Sequence, residues 1–133
     1  MSTAIGSNKA ILHRAITEQV LAGAFDVHTA LGPGLLESAY QTCLAHELNS
    51  RGLAVRQEVP VPVRFKRVAL DCGYKLDLLI DEAVIVELKA VEHLLPIHEA
   101  QVLTYMKLLG VRVGLLINFN TVHLRHGIRR LVF

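Results

Sequence analysis

At 133 residues the chain is the size of one ordinary domain, and a hydrophobic fraction of 52% is enough for a core without disulfides or a structural metal. Its 2 cysteines, Cys43 and Cys72, exclude a disulfide framework and a four-cysteine zinc or iron–sulfur site, and read as small buried apolar side chains. The net charge of +2 permits nucleic-acid binding without arguing for it, so phosphate contacts must be local or drawn to a bound cation.

Residues 1–8 are small and polar and lack the basic region and apolar stretch expected of a secretory signal. No run of about 18 or more apolar residues predicts a membrane span. A cytoplasmic protein without membrane association is therefore expected. Gly, Pro and Ser are scattered, and no linker, repeat or low-complexity tract appears, which predicts one domain over residues 1–133.

The first half reads as helical. Ser7 or Asn8 can cap a helix over residues 9–31, with Leu12, Ala15, Ile16, Val20, Ala24 and Val27 near the helical period. Gly32 stops it, and Pro33 and Gly34 turn the chain. A second helix over residues 35–50, closed by Gly52, carries the stripe Leu36, Ala39, Cys43 and Leu44.

Strands follow. Val59, Val61 and Val63 alternate with Pro60 and Pro62 and lead to Phe65; two prolines place this strand at a sheet edge or a bulge. Residues 68–70, 74–80 and 84–88 come next. The run from Ala83 to Leu88 is apolar except for Glu87, as in a strand buried on both faces. Pro96 opens a helix through about Leu109, ended by Gly110. Residues 111–118 read as a buried strand, and 121–124 and 128–133 as short final strands. The order condenses to α-α-β-β-β-α-β-β, an α/β fold with a mixed sheet flanked by helices.

Three charges stand where apolar residues belong. Glu87 and Lys89 close a central strand and, two residues apart, point to the same face, while Leu88 points to the other. A solvated ion pair at a strand end is the plain alternative, weakened by the apolar run and by the cost of burying a carboxylate. Asp77 is the third, in the strand joined to Glu87's through Asp81 and Glu82. Residues directly opposite share a face. A two-residue loop would pair Asp77 with Val86. A three-residue loop over 81–83, or a bulge, pairs Asp77 with Glu87 and brings their Cβ atoms to about 5 Å. Two carboxylates so placed can share a hard cation with oxygen ligands at about 2.1 Å, magnesium or manganese. A lysine beside them can orient water or stabilise charge on a reacting phosphate.

Further segments extend the pattern. Gly34, Glu37 and Tyr40 form Gly-x-x-Glu-x-x-Tyr at the start of the second helix; Asp77 and Glu87-Leu88-Lys89 follow; Gln101 and Tyr105 form Gln-x-x-x-Tyr on the third helix; and Val113 to Phe119 forms a strand and its exit. In order and spacing these resemble the GxxExxY family of the PD-(D/E)XK nuclease superfamily, from about Ala24 to Phe133. The resemblance implies a restriction-endonuclease-like core and a metal-dependent nuclease acting on DNA ahead of RNA. It implies Asp77, Glu87 and the Leu88 backbone carbonyl as metal ligands, Glu37 supporting the metal directly or through water, and Lys89 as the catalytic lysine. Gln101, Tyr105 and Tyr40 would contact substrate. Leu76 departs from the pattern, standing where the superfamily signature has proline.

Simpler readings stand beside these. Tyr40 and Tyr105 also fit core tyrosines with one satisfied hydroxyl, and Glu37 also complements a helix dipole. His98 falls near the presumed site. His123 and His126 bracket a turn and read as solvated. Arg64, Lys66, Arg67, Arg125, Arg129 and Arg130 are candidates for a phosphate-binding rim. The rival function is a non-catalytic nucleic-acid- or protein-binding regulatory module on the same fold, which the intact Asp77, Glu87 and Lys89 disfavour. The strand ending at Phe133 offers an edge for a homodimer.

Overall fold

In the computed structural model, residues 12–133 are described. The chain runs α1 (Arg14–Leu31), α2 (Glu37–Ser50), β1 (Val55–Pro60), β2 (Val63–Phe65), β3 (Val68–Leu70), β4 (Lys75–Ile80), β5 (Val84–Lys89), α3 (Pro96–Leu109), β6 (Val113–Asn118), a 3-10 turn (Leu124–Gly127) and β7 (Ile128–Val132). Five strands make a mixed sheet in the order β1-β4-β5-β6-β7, while β2 and β3 pair only with each other. Strands β5 and β6 are parallel, joined by α3 as the crossover, and the other pairs are antiparallel. The expected helix-flanked mixed sheet is therefore the fold.

Helices α1 and α2 cover one face. Val20, Ala24, Val27, Tyr40, Leu44 and Leu48 meet Leu78, Ile80, Val84, Val86, Leu88, Leu115 and Ile117 there. Helix α3 covers the other, where Val102, Tyr105 and Met106 pack with Leu79, Ile85 and Leu116. Buried on both faces, β5 and β6 are apolar almost throughout, as the sequence predicts. Gly114 lets α3 approach closely: a Cβ there would lie 2.8 Å from Val102 Cγ1 and 2.9 Å from Met106 Sδ.

Several expectations are revised. Among the described residues helix α1 runs Arg14–Leu31, preceded by His13 in a left-handed conformation (φ 54°); the expected start near Lys9 and the expected caps Ser7 and Asn8 lie outside the described residues. Helix α2 buries Tyr40, Leu44, Ala45 and Leu48, while Leu36, just ahead of the first turn, is 77% exposed. The proline-rich strand is divided: β1 ends at Pro60 at the sheet edge, and β2 begins at Val63 in the separate hairpin. Residues 121–124 form no strand, because the chain bends into the 3-10 turn before β7. Cys72 is exposed and Cys43 half-buried. Among the described residues no helix is long and apolar enough to cross a membrane.

Candidate active site

The β4–β5 register decides whether the charges meet. Ile80 pairs with Val84, Leu79 with Ile85 and Leu78 with Val86. The loop is therefore Asp81-Glu82-Ala83, with Asp81 and Glu82 at positive φ, and the alternation sets Asp77 opposite Glu87. This is the three-residue alternative that parity demanded. Glu87 and Lys89 share Ile85's face, which α3 covers.

The backbone ladder stops at Leu78–Val86, and side chains take over beyond it. The Asp77 N–H donates to Glu87 Oε1 at 2.8 Å, and the Leu88 N–H donates to Asp77 Oδ2 at 2.8 Å. Each carboxylate thus satisfies a backbone donor that would otherwise be stranded. Glu87 is 4% exposed and Asp77 half-buried. Burial, then the charge of Asp77, pushes the Glu87 carboxyl up to about 8; the Asp77 N–H and Lys89 oppose the rise, and Glu37 adds to it. The Asp77 carboxyl is also raised, first by burial and then by the charges of Glu37 and Glu58, against the Leu88 N–H and Lys89.

Helix α3 supplies the opposite wall. Lys89 Nζ donates to Gln101 Oε1 at 3.4 Å. Tyr105, one turn on and bonded to Gln101, is raised above the usual phenol range by burial and then by Glu87, Tyr74 and Asp77; the Gln101 bond opposes this. Its ring lies 6.3 Å from that of Tyr74. Glu37, exposed at the first position of α2, acts on the pair through its charge.

Asp77, Glu87, Lys89, Gln101 and Tyr105 therefore meet, with Glu37 at the margin. Tyr40 does not join them. It is fully buried, stacks on Phe119 at 4.6 Å, donates to the Gly32 carbonyl at 2.6 Å and accepts the Leu35 N–H at 3.1 Å. It fastens the α1–α2 turn that delivers Glu37. His98 caps α3, its Nδ1 accepting the Leu95 N–H at 2.9 Å. His123 and His126 are exposed and touch each other edge to face. The basic candidates divide: Arg64, Lys66 and Arg67 lie on and around the β2–β3 hairpin, whereas Arg125, Arg129 and Arg130 lie at the opposite edge, in the 3-10 turn and β7.

One neighbour escaped the sequence reading. Glu58, exposed on edge strand β1 at φ 53°, falls opposite Asp77, because Gln57 pairs with Leu78 and Val59 with Leu76. Gln41 Nε2 donates to Glu58 Oε2 at 3.0 Å. Only the β1–β4 register exposes this neighbour, and a lone glutamate among strand residues does not announce it.

Set beside this geometry, a family model of the PD-(D/E)XK nuclease superfamily matches residues 14–131. The chain belongs to the PD-(D/E)XK nuclease superfamily. No curated protein and no solved structure matches it. PD-(D/E)XK proteins are usually phosphodiester hydrolases that act on nucleic acid and use divalent metal ions. Among the described residues no group of three or more His, Cys, Asp or Glu side chains forms a ready metal cage. The carboxylate pair still fits a magnesium-like ion, which takes one or two protein carboxylates and keeps several waters. Each carboxylate gives one oxygen to a backbone N–H and has no hydrogen-bond partner for the other among the described residues. A buried and a half-buried carboxylate, both with raised pKa values, beside a single lysine lack positive charge, and a divalent ion would supply it.

Proposed function

We propose that this chain is a Mg2+- or Mn2+-dependent nuclease of the GxxExxY family, cleaving DNA in preference to RNA, and that it works as one domain in the cytoplasm. The observation that carries the reading is the pair of buried Glu87 and half-buried Asp77, each with one uncommitted oxygen among the described residues, on the same face as Lys89. Asp77 and Glu87 hold the ion, with the Leu88 carbonyl and, directly or through water, Glu37. A bound divalent ion polarises a phosphoryl oxygen and lowers the pKa of bound water.

The side chains divide the remaining work. Lys89, steered by Gln101, orients the attacking water or stabilises charge developing on the phosphate. Gln101 and Tyr105 line the α3 side, where their polar groups can meet substrate phosphate. Metal binding and proton binding compete on Glu87, so the site engages its ion most readily once that carboxyl has ionised. The free edge of β7 suits a homodimer as a secondary arrangement.

The deciding experiment incubates wild type and Lys89→Ala with supercoiled, linear and single-stranded DNA and with RNA, in manganese, magnesium or EDTA. Metal-dependent cutting is expected, falling at least about 100-fold in the variant, as for the loss of a charge-stabilising group. No cutting of any substrate by wild type would leave the regulatory binding module as the better reading.

A further inference from the structure

We propose that the β2–β3 hairpin is an arm that grips single-stranded nucleic acid and leads it into the active site. The inference rests on the nuclease reading for what the site does, but not for what the hairpin binds. The hairpin stands apart from the main sheet, and nearly every residue of it is exposed. A two-stranded hairpin packed against nothing is only marginally stable. The pairings Val63–Leu70, Arg64–Ala69 and Phe65–Val68 put Val63, Phe65, Val68 and Leu70 on one face. Phe65 is 61% exposed there and, with Val68 and Leu70 also exposed beside it, forms an open apolar face.

The tip is more unusual. Phe65 pairs with Val68, so the loop is two residues, Lys66 and Arg67, at φ 49° and 71°. Both central positions of such a turn require positive φ, which favours Asn-Gly and strains two long side chains. Two cations are thus held at the tip against the local preference, with Lys66 Nζ 5.5 Å over the Phe65 ring and Arg64 on the other face. Among the described residues no acidic side chain pairs with Arg64, Lys66 or Arg67.

The stem connects the arm to the chemistry. The Val61 N–H donates to the Tyr74 carbonyl at 2.9 Å, extending the β1–β4 pairing to the root of the hairpin. Tyr74 is 50% exposed, and its ring is 6.3 Å from that of Tyr105, which feels the charges of Glu87 and Asp77. Phe65 lies four residues on from Val61, a span of up to about 13 Å in an extended chain. Cations beside exposed aromatic rings recognise single strands, whose phosphates pair with the charges and whose bases stack on the rings. A duplex hides its base faces, and a second copy of this hairpin would bring like charges together.

The test measures binding in EDTA, by fluorescence anisotropy, to a short oligothymidine strand and to a duplex of equal length. Phe65→Ala should weaken strand binding at least about fivefold, the low end for one stacked base, and duplex binding less. Lys66→Asn with Arg67→Gly installs the residues this turn prefers, so the fold is kept while both cations go. That variant should weaken strand binding at least about tenfold and reduce the slope of log affinity against log salt by roughly 1.4. Unchanged affinity in both variants overturns the proposal, as does equal loss for strand and duplex, or no strand binding by wild type. A dimer that Phe65→Ala turns into a monomer with strand affinity unchanged also overturns it and assigns the face to self-association. Manganese-dependent cutting by the same preparations is read separately. Hairpin-dependent binding without cutting sinks the nuclease reading and leaves the arm standing.

Discussion

Glu87 concentrates the electrostatic tension of the molecule, because a carboxylate that is 4% exposed sits beside a second carboxylate. Its folded pKa of about 8 lies above the ordinary 4.5. Between those values the folded protein holds a proton that the unfolded chain releases, so stability falls as pH rises. The contribution is complete below about 4.5 and gone above about 8. The slope approaches 1.4 kcal/mol per pH unit at most, because one proton is involved. Asp77, Glu37 and Lys89 face the same group, and Asp77 is raised in the same direction. Urea unfolding of metal-free protein from pH 5 to 8.5 should show the decline, and Glu87→Gln, neutral throughout, should flatten most of it. A wild-type profile as flat as the variant's would mean that the pair is solvated and not poised for a cation.

Close contact between α3 and β6 sets the position of the opposite wall. Gly114→Ala places a methyl group 2.8 Å from Val102 Cγ1 and 2.9 Å from Met106 Sδ, so these α3 side chains must turn away or the helix must shift. Overpacking of this kind costs about 1–3 kcal/mol. Gln101 and Tyr105 ride on α3, so a shift of the helix withdraws them from Lys89. Activity at a temperature where the variant is fully folded should fall at least about tenfold, since small misplacements of positioning groups are expensive. Thermal melting and cleavage rates together check this, and a lower melting temperature with unchanged cleavage would show that α3 does not position the site. Legibility differs among the elements. The Asp77–Glu87 pairing was readable because strand alternation forbids the two-residue loop once both charges must share a face. The break after Pro60 was not, because Val59 to Phe65 alternates smoothly and nothing local reveals that β2 leaves the sheet. Tyr40 matched its motif, yet its hydroxyl is taken by the Gly32–Leu35 turn, a contact that only the α1–α2 packing creates. Glu58 was invisible for a related reason: its relation to Asp77 exists only through the register of an edge strand.

At the scale of the whole molecule, the metal-dependent enzyme requires what a non-catalytic module on the same fold does not: that a divalent ion bind and so stabilise the folded state. The pair has been brought together by pairing β4 with β5 deep in the sheet, so the unfolded chain has no equivalent site, and a ligand that binds only the folded form stabilises by mass action. At an ion concentration about 100 times the dissociation constant the gain is roughly 2.7 kcal/mol, a melting shift of several degrees for a chain of this size. The ion competes with the proton on Glu87, so the manganese-induced shift should grow from pH 6 to pH 8.5, while metal-free stability declines over the same interval. Asp77→Ala should abolish the shift, and Lys89→Ala should preserve or enlarge it, because removing the lysine takes a positive charge from beside the ion. That opposition distinguishes a metal centre from a general salt effect, which would move all three proteins alike. A shift that persists in Asp77→Ala would mean that the ion binds elsewhere, and no shift in any of them would leave the carboxylate pair as a structural feature of a fold that has kept its architecture without its chemistry.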